Sequence, residues 1–172
     1  PPANPWFTDE GVSSSINQLV RATTNSLSTD YILFKGFNFG INTTIPVGSV
    51  INGICILVDD TSVSSTSSAV RRWIPSLTWD GGASFTSENQ TMPALSTALS
   101  GIDYYFPDTS IIPLTFAPSG ASCSTWGKSG GWATNDISSI NFGIKLRGRI
   151  NPNPAADLRF DVVRANAYFT AP

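Results

Sequence analysis

Ile140-Asn141-Phe142-Gly143-Ile144-Lys145-Leu146-Arg147-Gly148-Arg149-Ile150 reads as a β-strand. Successive side chains of a strand point to opposite faces, so residues two apart share a side. Phe142, Ile144, Leu146 and Ile150 then form one apolar face, and Lys145, Arg147 and Arg149 form the other. One face belongs against a core and the other against water. That pattern is the mark of a sheet packed on one side only.

Other segments follow the same rule. Tyr31–Ile41 carries Phe34, Phe37 and Phe39 and suits a pleated surface. Thr43–Gly48 is a turn punctuated by Pro46 and Gly48. Val50–Asp59 is nearly continuous in apolar residues, as a strand central in its sheet would be. Asp60–Ser68 reads as a loop. Val70–Trp79 reads as a strand broken by Pro75, and Asp80-Gly81-Gly82 as a turn. Ile111–Phe116 is a short strand held to an edge by Pro113. Asn135–Ser139 looks like one capped helical turn. Leu158–Thr170 closes the chain as a single strand, with Phe160, Val162 and Val163 as the candidates to face inward. Residues 83–110 give only short extended pieces, with Tyr104, Tyr105 and Phe106 clustered.

Helical periodicity is weak. Val12, Ile16, Leu19 and Val20 fall at helical spacing, but the surrounding Ser, Thr and Asn compete with helix hydrogen bonds. The expectation for Gly11–Leu27 is irregular or partly extended chain. Residues 1–10 are proline-rich, unsuited to the middle of a sheet, and read as an extended arm with Trp6 and Phe7 as anchors. The fold class is therefore all-β: a single-domain, two-sheet β-sandwich of jelly-roll type with an extended N-terminal arm. Residues 1–28 form the arm and irregular lead-in, and residues 29–172 form the sandwich domain.

The 172 residues suffice to bury one core. Charged residues make up 13%, about half the usual share, so Ser, Thr and Asn must supply the surface polarity. The net charge of −2 gives phosphate no bulk attraction, and no nucleic-acid partner is expected. No apolar run approaches the roughly 18 residues of a membrane span. The first residues lack a basic region followed by an apolar stretch. Two histories fit: a secreted precursor trimmed of its signal, or a cytosolically made virion protein that lost its initiator Met. The two cysteines are too few for a disulfide scaffold. Cys55 sits in the apolar run Ile54-Cys55-Ile56 and Cys123 in a Ser/Gly loop. Two free thiols are the expected state, with a bridge as the alternative.

Some longer stretches resemble a known module. Asp30-Tyr31-Ile32-Leu33-Phe34-Lys35-Gly36-Phe37-Asn38-Phe39-Gly40, followed by Ile45-Pro46-Val47-Gly48-Ser49-Val50-Ile51-Asn52-Gly53-Ile54, is similar to an aromatic GFGF strand preceding IPxGAxIxGI. Trp126-Gly127 and Trp132–Ile144 resemble its Trp-Gly pair and WTxxDINSSNFGV segment. Phe160–Phe169 resembles its closing strand, VDYVRVTVYY. The module is a β-sandwich of bacteriophage structural and tail-associated proteins and of bacterial surface proteins. The resemblance covers about two-thirds of the chain and misses the arm and much of 61–110. The link between Phe39 and Ile45 is longer here than in the module. The resemblance implies a fold without catalytic residues, in which Trp126 and Trp132 pack beneath their loop.

The chain has no His. That removes the commonest general base, most zinc sites and His-dependent nucleophilic catalysis. Gly127-Lys128-Ser129 lacks the upstream glycines of a phosphate cradle. The acidic residues fall mostly in turns and strand ends, where Asp hydrogen-bonds backbone. Asp59-Asp60 has the donor type for Ca²⁺, but a solvated strand end is the expected role, and neither a metal nor a cofactor is expected. Trp73 and Trp79 are the candidates for stacking on sugar rings. Lys145, Arg147 and Arg149 belong to a solvated face, or meet acidic groups on a neighbouring subunit.

The expected function is structural and not enzymatic. The chain would be a repeated subunit of a virion (capsid decoration, tail or fibre) or of an extracellular filament. Its partners would be copies of itself and other structural subunits, with Trp6, Phe7 and Val12 as assembly contacts. It would stand on a virion or outside the cell. The alternative is a carbohydrate-binding or adhesion module that meets surface glycans through Trp73 or Trp79.

Overall fold

A computed structural model describes residues 6–8, 20–24, 28–37, 39, 45–64, 70–89, 99–107, 123–138, 140–151, 156–160 and 163–172. The chain is predominantly β, in two antiparallel sheets. In chain order the strands are β1 (Trp6–Thr8), β2 (Val20–Thr24), β3 (Ser28–Lys35), β4 (Val50–Ser64), β5 (Val70–Thr78), β6 (Leu99–Phe106), β7 (Trp132–Ala133), β8 (Gly143–Asn151), β9 (Ala156–Phe160) and β10 (Val163–Thr170). One sheet has the order β3-β8-β5. The other runs β1-β2-β9-β4-β10, with β6 and β7 also paired to β4. None of its described helices is long and apolar enough to cross a membrane.

β8, the strand of alternating apolar and basic residues, lies between β3 and β5. Phe142, just before it, and Ile144 and Leu146 within it are fully buried, as the period of two requires. They face β4, whose Ile54, Ile56 and Val58 join the same core cluster. Trp73 and Phe34 from the three-stranded sheet meet Phe160 of the larger sheet edge-on, at ring distances of 5.0 and 5.8 Å. These rings tie the two layers into a sandwich.

β4 is central, as its apolar run predicts. β10 lies along one side, and β6 and β7 along the other. Both faces of Ile54–Val58 are buried. The strand continues to Ser64, past the expected end at Asp59, because the Asp60–Ser64 stretch pairs with both β6 and β9. The closing segment is two strands instead of one. β9 pairs with β2 and the far end of β4, while β10 pairs with its near end.

Pro75 does not break β5. It sits opposite Leu146 in an unbroken register from Val70 to Thr78. β5 is the last strand of its sheet, so the missing N–H falls on an edge, where proline is tolerated. That edge is covered by the chain that follows. Thr86 N–H donates to Leu77 O, Leu77 N–H donates to Thr86 Oγ1, and Asn89 N–H donates to Pro75 O, all at 2.8 or 2.9 Å. Exposed edges invite unwanted pairing, and here residues 86–89 act as a short substitute strand.

β1 and β2 fall within the segment expected to be an arm and irregular lead-in. Trp6, Phe7 and Thr8 pair with Ala22, Arg21 and Val20, and β2 pairs in turn with β9. Ile111–Phe116 lies outside the described residues.

Candidate functional site

Cys55 and Cys123 form a disulfide, which corrects the expectation of free thiols. Its placement follows from the strand register. Ile54 and Ser124 exchange backbone hydrogen bonds, so Cys55 and Cys123 occupy the adjoining non-hydrogen-bonded position. Paired Cα atoms come closest there, at about 4.5 Å, and these two stand 4.8 Å apart. Gly53 makes room: a Cβ on it would lie 3.0 Å from the Cys123 backbone carbon.

Beyond the disulfide the chain makes a tight clasp. The Trp126 indole N–H donates to Ile54 O at 2.8 Å, and the Trp132 indole N–H donates to Thr125 O at 2.7 Å. Trp126 holds a left-handed backbone, φ 54°, an uncommon state for a large side chain. Its backbone N–H also donates to Ser124 Oγ, so bonds at both ends of the residue hold that state. The Lys128 ammonium donates to Gly131 O and pairs with Asp136 at 3.0 Å. It sits 5.2 Å over the Trp79 ring and 5.6 Å over that of Trp132. The Asp136 carboxylate accepts from Ala133 N–H at the start of the short 3-10 turn Thr134–Ile137. These indoles serve the fold.

The outer face of the three-stranded sheet is built differently. Register places Tyr31, Arg147 and Ile74 in one row across it, and Leu33, Lys145 and Ser76 in the next. The 80–89 segment folds back over the β5 side. Its Asp80-Gly81-Gly82 turn is the one the sequence predicts, with Gly81 and Gly82 at φ 76° and 107°. Phe85 then covers Lys145, whose ammonium lies 4.3 Å from the Phe85 ring and 5.5 Å from the Tyr31 ring. Tyr31 is 55% exposed and meets Phe85 edge-on at 6.3 Å. Arg147 pairs with Glu88 at 2.6 Å. Ser76 Oγ and Arg147 Nε are buried with no hydrogen-bond partner among the described residues.

Among the described residues, Asp80 and Tyr104 have displaced acidities. Asp80 is held down to about 2, first by the Ser84 backbone N–H, with the Ser84 and Thr78 hydroxyls adding to it. Burial pushes the Tyr104 phenol up. Among the described residues no three His, Cys, Asp or Glu side chains gather as metal ligands would.

Trp73 is fully buried against Phe160 and has no ring face for a sugar. That corrects its candidacy as a glycan contact: the alternation of β5 turns it inward with Leu77. Trp79 is half-buried, edge-on to Trp132 at 6.1 Å, with the Lys128 ammonium over its ring. Trp6 and Phe7 lie in β1, and Val12 lies outside the described residues. The Tyr31–Phe85–Lys145 group was not foreseen. The basic alternation on β8 signals one third of it, but Phe85 arrives only through the fold-back of 80–89.

No family model matches the chain, and no curated protein or solved structure shows significant similarity to it.

Proposed function

We propose that the chain is a non-catalytic structural protein, a repeated subunit of a virion (capsid decoration, tail or fibre) or of an extracellular filament. The observation that carries this reading is the place of β1. It is the outermost strand of the larger sheet and is held there by three residue pairs with β2. The same edge of β2 in a neighbouring copy offers the same pairing, so strand addition through the N-terminal segment links copies without new chemistry. Trp6 and Phe7 lie in that strand, and Val12 follows it.

The Cys55–Cys123 disulfide supports a virion or extracellular location, since such bonds persist in oxidising surroundings. A jelly-roll strand order, and kinship with the sandwich modules of phage and bacterial surface proteins, belong to the same proposal. Both rest on the resemblance of residues 30–54 and 126–169.

Light scattering and negative-stain microscopy of the purified chain, with and without residues 1–10, test the reading. Regular oligomers or filaments from the intact chain, lost on truncation, are the expected result. Compact monomers from both forms at high concentration overturn it.

A further inference from the structure

Tyr31 is the one aromatic ring left exposed among the described side chains, at 55%. Val47 and Val50 are also exposed, but they lie at the turn that enters β4, and Ile140 lies in the turn before β8. The open apolar surface of the three-stranded sheet therefore centres on a single ring. That ring is held in place. β3 is paired along β8 from Tyr31 to Lys35, and Arg147 stands directly opposite Tyr31. The Lys145 ammonium lies over the ring at 5.5 Å, and the Phe85 ring meets it at 61°. A ring fixed in advance gives up little freedom when a ligand arrives.

Polar groups stand beside it. Paired residues of an antiparallel ladder have Cβ atoms about 4.5–5.5 Å apart, so the Arg147 side chain starts next to Tyr31. Arg147 pairs with Glu88, and the two side chains stay 30% and 25% exposed. That pair offers donors and an acceptor to hydroxyl groups. Both signs of charge are present: Lys145 and Arg147 against Glu88, with Asp30 at the β3 bulge between Ser28 and Tyr31. A patch of this kind suits an uncharged ligand with one apolar face and a rim of hydroxyls, as a pyranose has. A stable protein partner needs about 800 Å² on each side with an apolar centre. A single ring among charged groups does not supply one.

We infer that Tyr31, with Lys145 and the Arg147–Glu88 pair, forms a shallow binding site for one neutral pyranose ring, as carried at the end of a surface polysaccharide. The sugar stacks its C–H face on the Tyr31 ring, and its rim hydroxyls meet the guanidinium and the carboxylate. The site is complete within one copy, so it does not rest on the reading of the chain as a self-assembling subunit. A contact of this size is weak by itself. Repetition of the chain in an array would add many such contacts and convert weak affinity into avidity.

The experiment uses the full chain with its four tyrosine rings carbon-13 labelled. It is titrated with the methyl glycosides of glucose, galactose, mannose and N-acetylglucosamine to about 50 mM, because a one-ring contact binds in the millimolar range. At least one sugar should shift the Tyr31 ring signals saturably and leave those of Tyr104, Tyr105 and Tyr168 in place. Tyr31→Ala should weaken that binding by roughly tenfold or more, while Tyr31→Phe keeps most of it. Thermal unfolding of both variants should match the native chain, since the ring is exposed. No saturable shift from any of the four sugars overturns the inference, as does binding that persists unchanged in Tyr31→Ala. Tyr31 signals that move on simple dilution of the protein without sugar would show the ring covered by another copy, and also overturn it.

Discussion

Cys55 and Cys123 bond across a non-hydrogen-bonded position of an antiparallel pair, one residue from the Ile54–Ser124 bridge. The bond closes a loop across a sequence separation of 68. By loop-closure entropy a cross-link of that span stabilises by about 4 kcal/mol. Replacing both residues by Ala, or reducing the native bond, should lower the unfolding free energy by about 2–4 kcal/mol. Urea titrations with and without reductant measure this. Equal midpoints in the two conditions would show that the bond contributes nothing.

Trp126 links the same strand to the loop by a second route, its indole N–H on Ile54 O. Trp126→Phe keeps most of the ring and removes the shorter of two hydrogen bonds to Ile54 O, leaving the Ser124 N–H bond at 3.4 Å. The expected loss is about 0.5–1.5 kcal/mol. Cys55→Ala/Cys123→Ala and Trp126→Phe anchor the same loop to β4, so their combined cost should differ from the sum of the separate costs. A double-mutant cycle read by urea denaturation gives that coupling.

Much of the fold was legible because period-two patterning is local. The alternation around Phe142, Ile144 and Leu146 marks β8, and the apolar run Ile54–Val58 marks a strand buried on both faces. What was not legible depends on neighbours. Pro75 reads as a break unless one knows that β5 is an edge strand. Asp60–Ser64 reads as a polar loop until β6 and β9 supply its hydrogen bonds. Trp73 and Trp79 look alike in sequence, yet strand parity and the Phe160 ring bury the first completely. The cysteine pair was missed because 68 residues of sequence say nothing about strand register. The Tyr31–Phe85–Lys145 group was half visible, since the fold-back that carries Phe85 is a tertiary event.

Trp73 separates a sugar-binding role from a core role. With its ring fully buried against Phe160, Trp73→Ala removes a large core side chain. The expected cost is about 3–5 kcal/mol, read as a fall in the denaturation midpoint. Trp73→Phe should recover part of that loss by refilling the space. A Trp73→Ala protein as stable as the native chain would contradict the burial.

Asp80 gives the molecule a defined response to acid. Its carboxylate accepts from Ser84 N–H at 2.8 Å and from the Thr78 hydroxyl at 2.9 Å, and Thr78 Oγ1 accepts in turn from Gly82 N–H. These bonds favour the charged form and hold Asp80 near 2, below its ordinary 3.8. The folded value lies below the unfolded one. The contribution is therefore fully present above about pH 5 and is lost as the pH falls through 3.8 toward 2. Asp80→Asn should melt below the native protein at neutral pH, and the gap should close across that acid window. Thermal melts of both proteins from pH 7 to pH 2 measure it. A gap that stays constant down to pH 2 would mean that the charge of the Asp80 carboxylate contributes nothing to the turn.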